Sequence, residues 1–544
     1  MHLSKKVAAP PRKRSNPAPA QIISTRPAAA AAPDKTVAST APLFNWLKTR
    51  GAGVLLHPTC LPGTQGCGVF DDHAVRFLDF LKAAGMKYWQ VCPLGPTGYG
   101  DSPYQCFSAF AGNPYLVDLA ALIPAGLLAA NDLAELATLS PDRTDYGAIY
   151  RLKPRLLQSA YAQFKKTHPV LPYGDFTAFC QTHAHWLDAY AYFRALKDHF
   201  NGVAWWEWPA ETRDCRRAAK SPLRAQLADA IAAYQFGQYL FFGQWARLRA
   251  EARERDIEII GDLPIFVARD SADAWSNPAL FELDPRTLLP LAVAGVPPDY
   301  FSADGQLWGN PLYRWEAHRA DGYAWWLARM RASFELCDIV RIDHFRGFDS
   351  YWRIPVPAET ARVGAWVPGP GLDLFRAFRT AFPAGRIIAE DLGILTDSVT
   401  QLREDSGLPG MLVLHFAWAG DATNSYLPHN ATPNSVIYPG THDNDTTTGW
   451  YRSASEVERD HVRRYLRVAG DDVAWDFIRA SYACVSRLAV ISLQDIFALG
   501  ADARFNTPAQ AEGNWQWRCR TAALEKSFGA TTDYLRALAQ LYSR

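Results

Sequence analysis

Cys337-Asp338-Ile339-Val340-Arg341-Ile342-Asp343-His344 is a short β-branched run that stops on an acid and a histidine. Such runs, rich in β-branched and aromatic residues, read as buried strands. The pattern recurs at 53–57, 87–92, 257–261, 386–390, 411–416, 435–438 and 488–492, and with 338–342 it makes eight strands, most of them ending in Gly, Pro, Asp or His. Between most of them lies a helical period. After the first strand, Ala74, Phe77, Leu78, Leu81 and Ala84 form an apolar face at i, i+3, i+4 spacing. Eight β/α units predict an α/β chain closed into a (β/α)8 TIM barrel.

The spacing is uneven, so the barrel carries insertions. About 165 residues separate the second and third strands and about 75 the third and fourth. The first gap holds helix-like runs at 151–166, 175–200 and 223–255, which predicts a mostly helical insertion at about 120–250. A second insertion, at about 268–330, holds the Gly-, Pro- and aromatic-rich segment 295–310, a candidate lid. The barrel domain is thus expected over 43–544. Residues 1–42, built from Ala, Pro, Ser and Lys/Arg with Asp34 the only acid, lack the apolar content to offset the entropy of ordering and are expected to be disordered.

Composition narrows the chemistry. With 56 basic and 55 acidic residues the net charge is +1, which argues against nucleic acid or an acidic membrane as the partner and favours a neutral ligand. Nine cysteines, scattered and never in a CxxC pair, read as reduced thiols of a cytoplasmic protein; a plastid location is the alternative, should the Arg- and Ser-bearing start act as a transit peptide. No apolar stretch approaches the ~20 residues that cross a bilayer. The 19 Trp and 23 Tyr suit stacking on sugar rings, although a large aromatic core accounts for them equally well.

Catalytic groups of such a barrel sit at the C-terminal ends of the strands, and that rule selects Asp343, Glu390, Asp443 and Asp262. Acids gathered at one mouth repel and raise one another's pKa. For glycosidic bonds the arrangement has a use: one carboxylate attacks the anomeric carbon while a second, kept protonated, supplies the leaving oxygen with a proton. Arg341, two residues before Asp343 on the same strand face, is expected to hold it ionised. His344 and His442, each beside a candidate Asp, are placed to donate to sugar hydroxyls. Taken singly, a lone Asp after a strand reads as a helix N-cap, each histidine as a satisfied core residue, and Arg341 with Asp343 as an ordinary ion pair. Asp443-Asn444-Asp445 and the adjacent histidines raise the question of a metal, but no HExxH or comparable spacing occurs; neither a metal nor a cofactor is expected.

Longer motifs then match a known family. Leu56-His57-Pro58-Thr59, the stretch from Pro93 through Gly98-Tyr99-Gly100-Asp101-Ser102-Pro103-Tyr104, Gly261-Asp262-Leu263-Pro264, Gly295-Val296-Pro297-Pro298-Asp299-Tyr300-Phe301, Trp308-Gly309-Asn310-Pro311, Arg341-Ile342-Asp343-His344-Phe345-Arg346-Gly347, Ala389-Glu390-Asp391-Leu392-Gly393 and Thr441-His442-Asp443-Asn444-Asp445-Thr446 resemble the 4-α-glucanotransferases of glycoside hydrolase family 77 over roughly 50–540. The resemblance implies that Asp343 is the nucleophile, Glu390 the general acid/base and Asp443 the stabiliser of the transition state. It implies that Arg341, His442, Asp262, Trp308, Ser102 and Tyr104 line the subsite at the cleaved bond, that Tyr99 stacks on glucan farther away, and that Asn506 lies on an acceptor-side loop; His344 and Asn310 join the binding set. The implied partners are α-1,4-glucans, acted on by a monomer or homodimer. Cys60 and Cys106 stand where Ser is more usual, and Thr507-Pro508-Ala509 replaces a more usual Tyr-Pro-Gly. An α-amylase-like hydrolase and a glucan-binding barrel without turnover are the competing readings.

Overall fold

The computed structural model describes residues 41–98, 100–298, 302–393, 395–508, 510 and 512–544. Eight parallel strands form the central sheet: β1 Gly51–Leu55, β2 Tyr88–Gln90, β3 Glu258–Leu263, β4 Ile339–Ile342, β5 Ile387–Ala389, β6 Gly410–Val413, β7 Ser435–Tyr438 and β8 Leu488–Ser492. They pair in chain order, with β8 returning to β1 over five residues. All eight expected runs are strands, within a few residues of the expected limits.

The seam between β5 and β6 closes differently. Ala389 N donates to Pro409 O at 2.9 Å, and Asp391 bridges the gap, accepting from Met411 N at 2.7 Å while Arg403 Nε stands 3.1 Å away. Gly410 is required there, since a Cβ would come within 2.4 Å of the Asp391 carboxylate. The acid next to Glu390 therefore holds the barrel shut.

Helices wrap the sheet because their apolar stripes have no other cover. Asp72–Ala83 buries Ala74, Phe77, Leu78, Phe80 and Leu81, and Asp71 caps it by accepting from His73 N. The first insertion holds Tyr146–Thr167 and Phe176–His199. Ala228–Glu254 packs both on Phe176–His199 and on the barrel through Asp72–Ala83 and β3, so one long helix serves the insertion and the barrel wall together.

A second sheet was not foreseen. Four antiparallel strands run in the order Gln306–Pro311, Ala292–Val296, Ser350–Pro355, Ala365–Pro368, two from the insertion before β4 and two from the connection after it. Gly309 and Gly295 interrupt the alternation of the first two, and the other two are short and end on proline, which hides them from a periodicity reading. The expected lid is the hairpin of the first two; residues 299–301 of it lie outside the described residues. Its loop is braced by Ala361 N donating to Asp304 O at 3.1 Å and by an Arg362–Asp304 ion pair at 2.6 Å.

Residues 42–544 form one compact unit. Phe44 is buried and its N–H donates to Ser406 O, while Trp46 Nε1 donates to Ile387 O at the start of β5. Among the described residues no helix is long and apolar enough to cross a membrane.

Candidate active site

Register brings the site together. Asp262 on β3 lies opposite Arg341 on β4, and Arg341 opposite Ile388 on β5, so the strand ends bearing Asp343 and Glu390 are neighbours. After β4 the chain turns sharply, with His344 in the left-handed region at φ 51°. That turn points the His344 N–H at the Glu390 carboxylate, to which it donates, and Phe345 N donates to Glu390 O at 3.1 Å. The turn after Asp343 and the Glu390 strand end are thereby tied.

Arg341 stands at the centre, its side chain 3% exposed. Nη1 donates to Asp262 Oδ2 at 2.5 Å and lies 3.5 Å from Asp343 Oδ1; Nη2 is 3.7 Å from Glu390 Oε2. Its Nε donates to Met411 Sδ. Tyr104 adds a second donor to Asp262 Oδ2 at 2.7 Å, stacks on the His442 ring at 4.9 Å and is oriented by Ser102, whose Oγ accepts from Tyr104 N. The Asp262 side chain is only 1% exposed, against 26% for Asp343, 17% for Glu390 and 48% for Asp443. Asp262 thus acts on the mouth through Arg341 and Tyr104, and the three other acids face it.

Asp443 has its own surroundings. His442 Nε2 is 3.3 Å from Asp443 Oδ2, Asn506 Nδ2 donates to Oδ1 at 2.6 Å, and Arg504 Nη2 donates to the Asp443 carbonyl. Trp308 meets His344 edge to face at 4.9 Å. Asn310 is committed elsewhere: Nδ2 donates to Val267 O and Oδ1 accepts from Gln105 Nε2, so it braces the edge strand that carries Trp308. Tyr99 lies outside the described residues. Sequence reading missed Arg504, Gln105 and Trp515, whose ring lies 5.8 Å from His442; Arg504, two residues before Asn506, offered a faint signal, and the others none.

Electrostatics separates the acids. Burial, then the charge of Glu390, pushes Asp343 well above the usual carboxylate range. Burial likewise raises Glu390, to about 7, against the pull of Arg341. The pair therefore retains a proton near neutrality. The expectation that Arg341 by itself holds Asp343 ionised is corrected here, because its shortest bond goes to Asp262 and desolvation outweighs what remains. Asp443 is opposite: burial would raise it, but His442 and the Asn506 amide hold it below the usual range. His442 is raised in return, as Asp443 outweighs its burial. His344 is lowered to about 3, by burial and then Arg346, and stays neutral. Among the described residues no group of three or more His, Cys, Asp or Glu side chains could hold a metal ion. One carboxyl pair that keeps a proton beside one carboxylate that does not is the division of labour that acid-assisted nucleophilic substitution needs.

A family model described as 4-alpha-glucanotransferase matches residues 56–524. The chain is 47% identical over 503 residues to a 4-alpha-glucanotransferase of Thermus thermophilus, covering 91% of this chain and 99% of the relative. It is 40% identical to a chloroplastic/amyloplastic 4-alpha-glucanotransferase of Solanum tuberosum, covering 91% and 86%. Among solved structures, an amylomaltase from Streptococcus agalactiae in complex with acarbose superposes with a TM-score of 0.86 at 36% identity, covering 91% of this chain and 99% of that one.

Proposed function

Because the chain belongs to the 4-alpha-glucanotransferase family, whose members disproportionate α-1,4-glucans, we propose that its barrel mouth moves a glucan segment to the 4-OH of another glucan, or of glucose, by two displacements at one carbon. The observation that carries this reading is the shared Arg341 guanidinium, with Asp343 and Glu390 on either side of it and a proton held between them.

Asp343 attacks C1 while Glu390 protonates the departing glycosidic oxygen, leaving the glycosyl group on Asp343; Glu390 then takes the proton of the incoming 4-OH. Positive charge developing at C1 favours an ionised Asp343, so in the reactive complex the pair's proton resides on Glu390. Asp443, held ionised beside His442, is the fixed negative charge facing the oxocarbenium-like transition state. His344 and Trp308 contribute the neutral, partly apolar wall suited to a sugar face. Transfer prevails over hydrolysis when water is excluded and the acceptor is held in line; the hairpin carrying Trp308 is the cover, and Asn506 marks the acceptor side. All of these residues come from one chain, so a monomer suffices for the reaction, and a homodimer would carry the site twice. Nine free cysteines suit a reducing cytoplasm.

Incubation with maltotriose tests the reading. Longer and shorter maltooligosaccharides plus glucose, at a constant number of reducing ends, are expected; a steady gain of reducing ends without longer products would overturn transfer in favour of hydrolysis.

A further inference from the structure

Away from the barrel mouth, the helical insertion lines a second cavity, partly open to solvent and bounded by Pro96, Tyr115, Pro154, Tyr190, Tyr234 and Gly237. Arg194, from the helix Phe176–His199, lines it. Its guanidinium lies 4.4 Å from the Phe107 ring centroid and 5.3 Å from that of Tyr234, and it meets the hydroxyls of Tyr115 and Tyr234. Nε has no hydrogen-bond partner, and among the described residues no carboxylate stands within ion-pair distance of the group. Asp198, the acid whose charge reaches it, is engaged by the Tyr234 hydroxyl at 2.5 Å.

A guanidinium carries a permanent charge and five N–H donors in a planar fork. Taken out of water without an anion it is costly, and neutral phenols recover only part of that cost. The fully buried arginines here are matched: Arg341 has Asp262 and Arg249 has Asp338 at 2.6 Å, while Arg329, Arg518 and Arg544 donate to backbone carbonyls. Arg194 instead has a cavity and a ring of phenols. A neutral glucan would leave its charge uncompensated. A tetrahedral oxyanion would satisfy the fork bidentately and take further donation from the Tyr115 hydroxyl, that of Tyr234 being committed to Asp198.

We propose that this cavity is a phosphate-class oxyanion site, taking inorganic phosphate or the phosphoryl group of a phosphate ester, with Arg194 as its anchor. Gly237 provides the room: a Cβ there meets nothing within 4 Å, so a larger side chain would enter the cavity without disturbing the helix.

The experiment is calorimetric titration of the full chain with inorganic phosphate and, separately, with glucose 1-phosphate, at constant ionic strength. Saturable binding of at least one is expected, weakened tenfold or more in both Arg194→Gln and Gly237→Leu, with transfer from maltotriose retained in each. Tighter binding of the ester than of phosphate assigns the site to phosphate esters, and the reverse to the free ion. Absence of saturable binding to the unmodified chain, or binding that survives Gly237→Leu, overturns the proposal; should Arg194→Gln fail to fold, Gly237→Leu decides alone.

Discussion

Arg341 is counter-ion to three carboxylates at once, yet bonds closely only to Asp262. Asp343→Asn should nearly abolish transfer while the thermal unfolding midpoint holds or rises, because a repelling charge is removed. Glu390→Gln should lower kcat by about 10²–10⁴-fold, the usual share of a general acid/base. In the unmodified chain activity should fall as pH rises through about 7, where the pair loses the proton Glu390 supplies, and fall again in acid as the pair takes up a second proton. Stability carries a matching sign. A carboxyl raised from 4.5 to about 7 on folding destabilises the native state progressively as pH rises between those values, and by a constant amount above. Glu390→Gln should therefore be more stable than the parent above pH 7, by about 3 kcal/mol at most, with the gap closing toward pH 4.5; an unchanged midpoint at pH 8 would refute the buried charge. A substrate-bound structure should place the Asp343 and Glu390 carboxyls about 5 to 5.5 Å apart, as retention requires.

Among the elements, the barrel strands were legible because most are short apolar runs stopped by an acid, glycine, proline or histidine; Asp343 and Glu390 were legible as such stops, and Asp443 because it follows its strand by a short Pro-Gly turn. The antiparallel sheet was not: Ala292–Val296 contains Gly295, and Gln306–Pro311 contains Gly309 and ends on Pro311, so neither shows clean alternation. Nor could sequence reveal that Asp262 is sealed under Arg341, because depth below the mouth depends on register between strands 79 residues apart. The hairpin offers a test. Arg362 and Asp304 are 60% and 62% exposed, so Arg362→Ala should change stability by less than about 1 kcal/mol. If their pairing keeps the cover closed, the same change should raise the ratio of hydrolysis to transfer several-fold, measured as reducing ends gained per transfer event; an unaltered ratio would show that the brace is incidental.

Across the whole molecule, the two ends of the described chain are locked to the same backbone. Arg50 donates to the carbonyls of Tyr482, Cys484 and Tyr542, and Arg544 to those of Gly51, Ser481, Tyr482, Cys484, Ser486 and Arg487. These carbonyls surround the β8 entrance, at the end of the barrel opposite the site. Arg544→Ala orphans several of them and should cost roughly 2–4 kcal/mol, seen as a lower denaturant midpoint with specific activity per folded molecule unchanged. The cover hairpin has a different attachment. Its strand Ala292–Val296 pairs with Ser350–Pro355, which begins two residues after the Phe345–Phe348 turn that follows Asp343, the proposed nucleophile. Cover and nucleophile thus belong to one cooperative unit, and their amide protons should exchange with solvent together, at a rate set by the opening of the whole sheet and not by the fraying of a loop. A glucan lodged beneath Trp308 should then slow exchange at Tyr351 and Ile354, although neither touches the sugar.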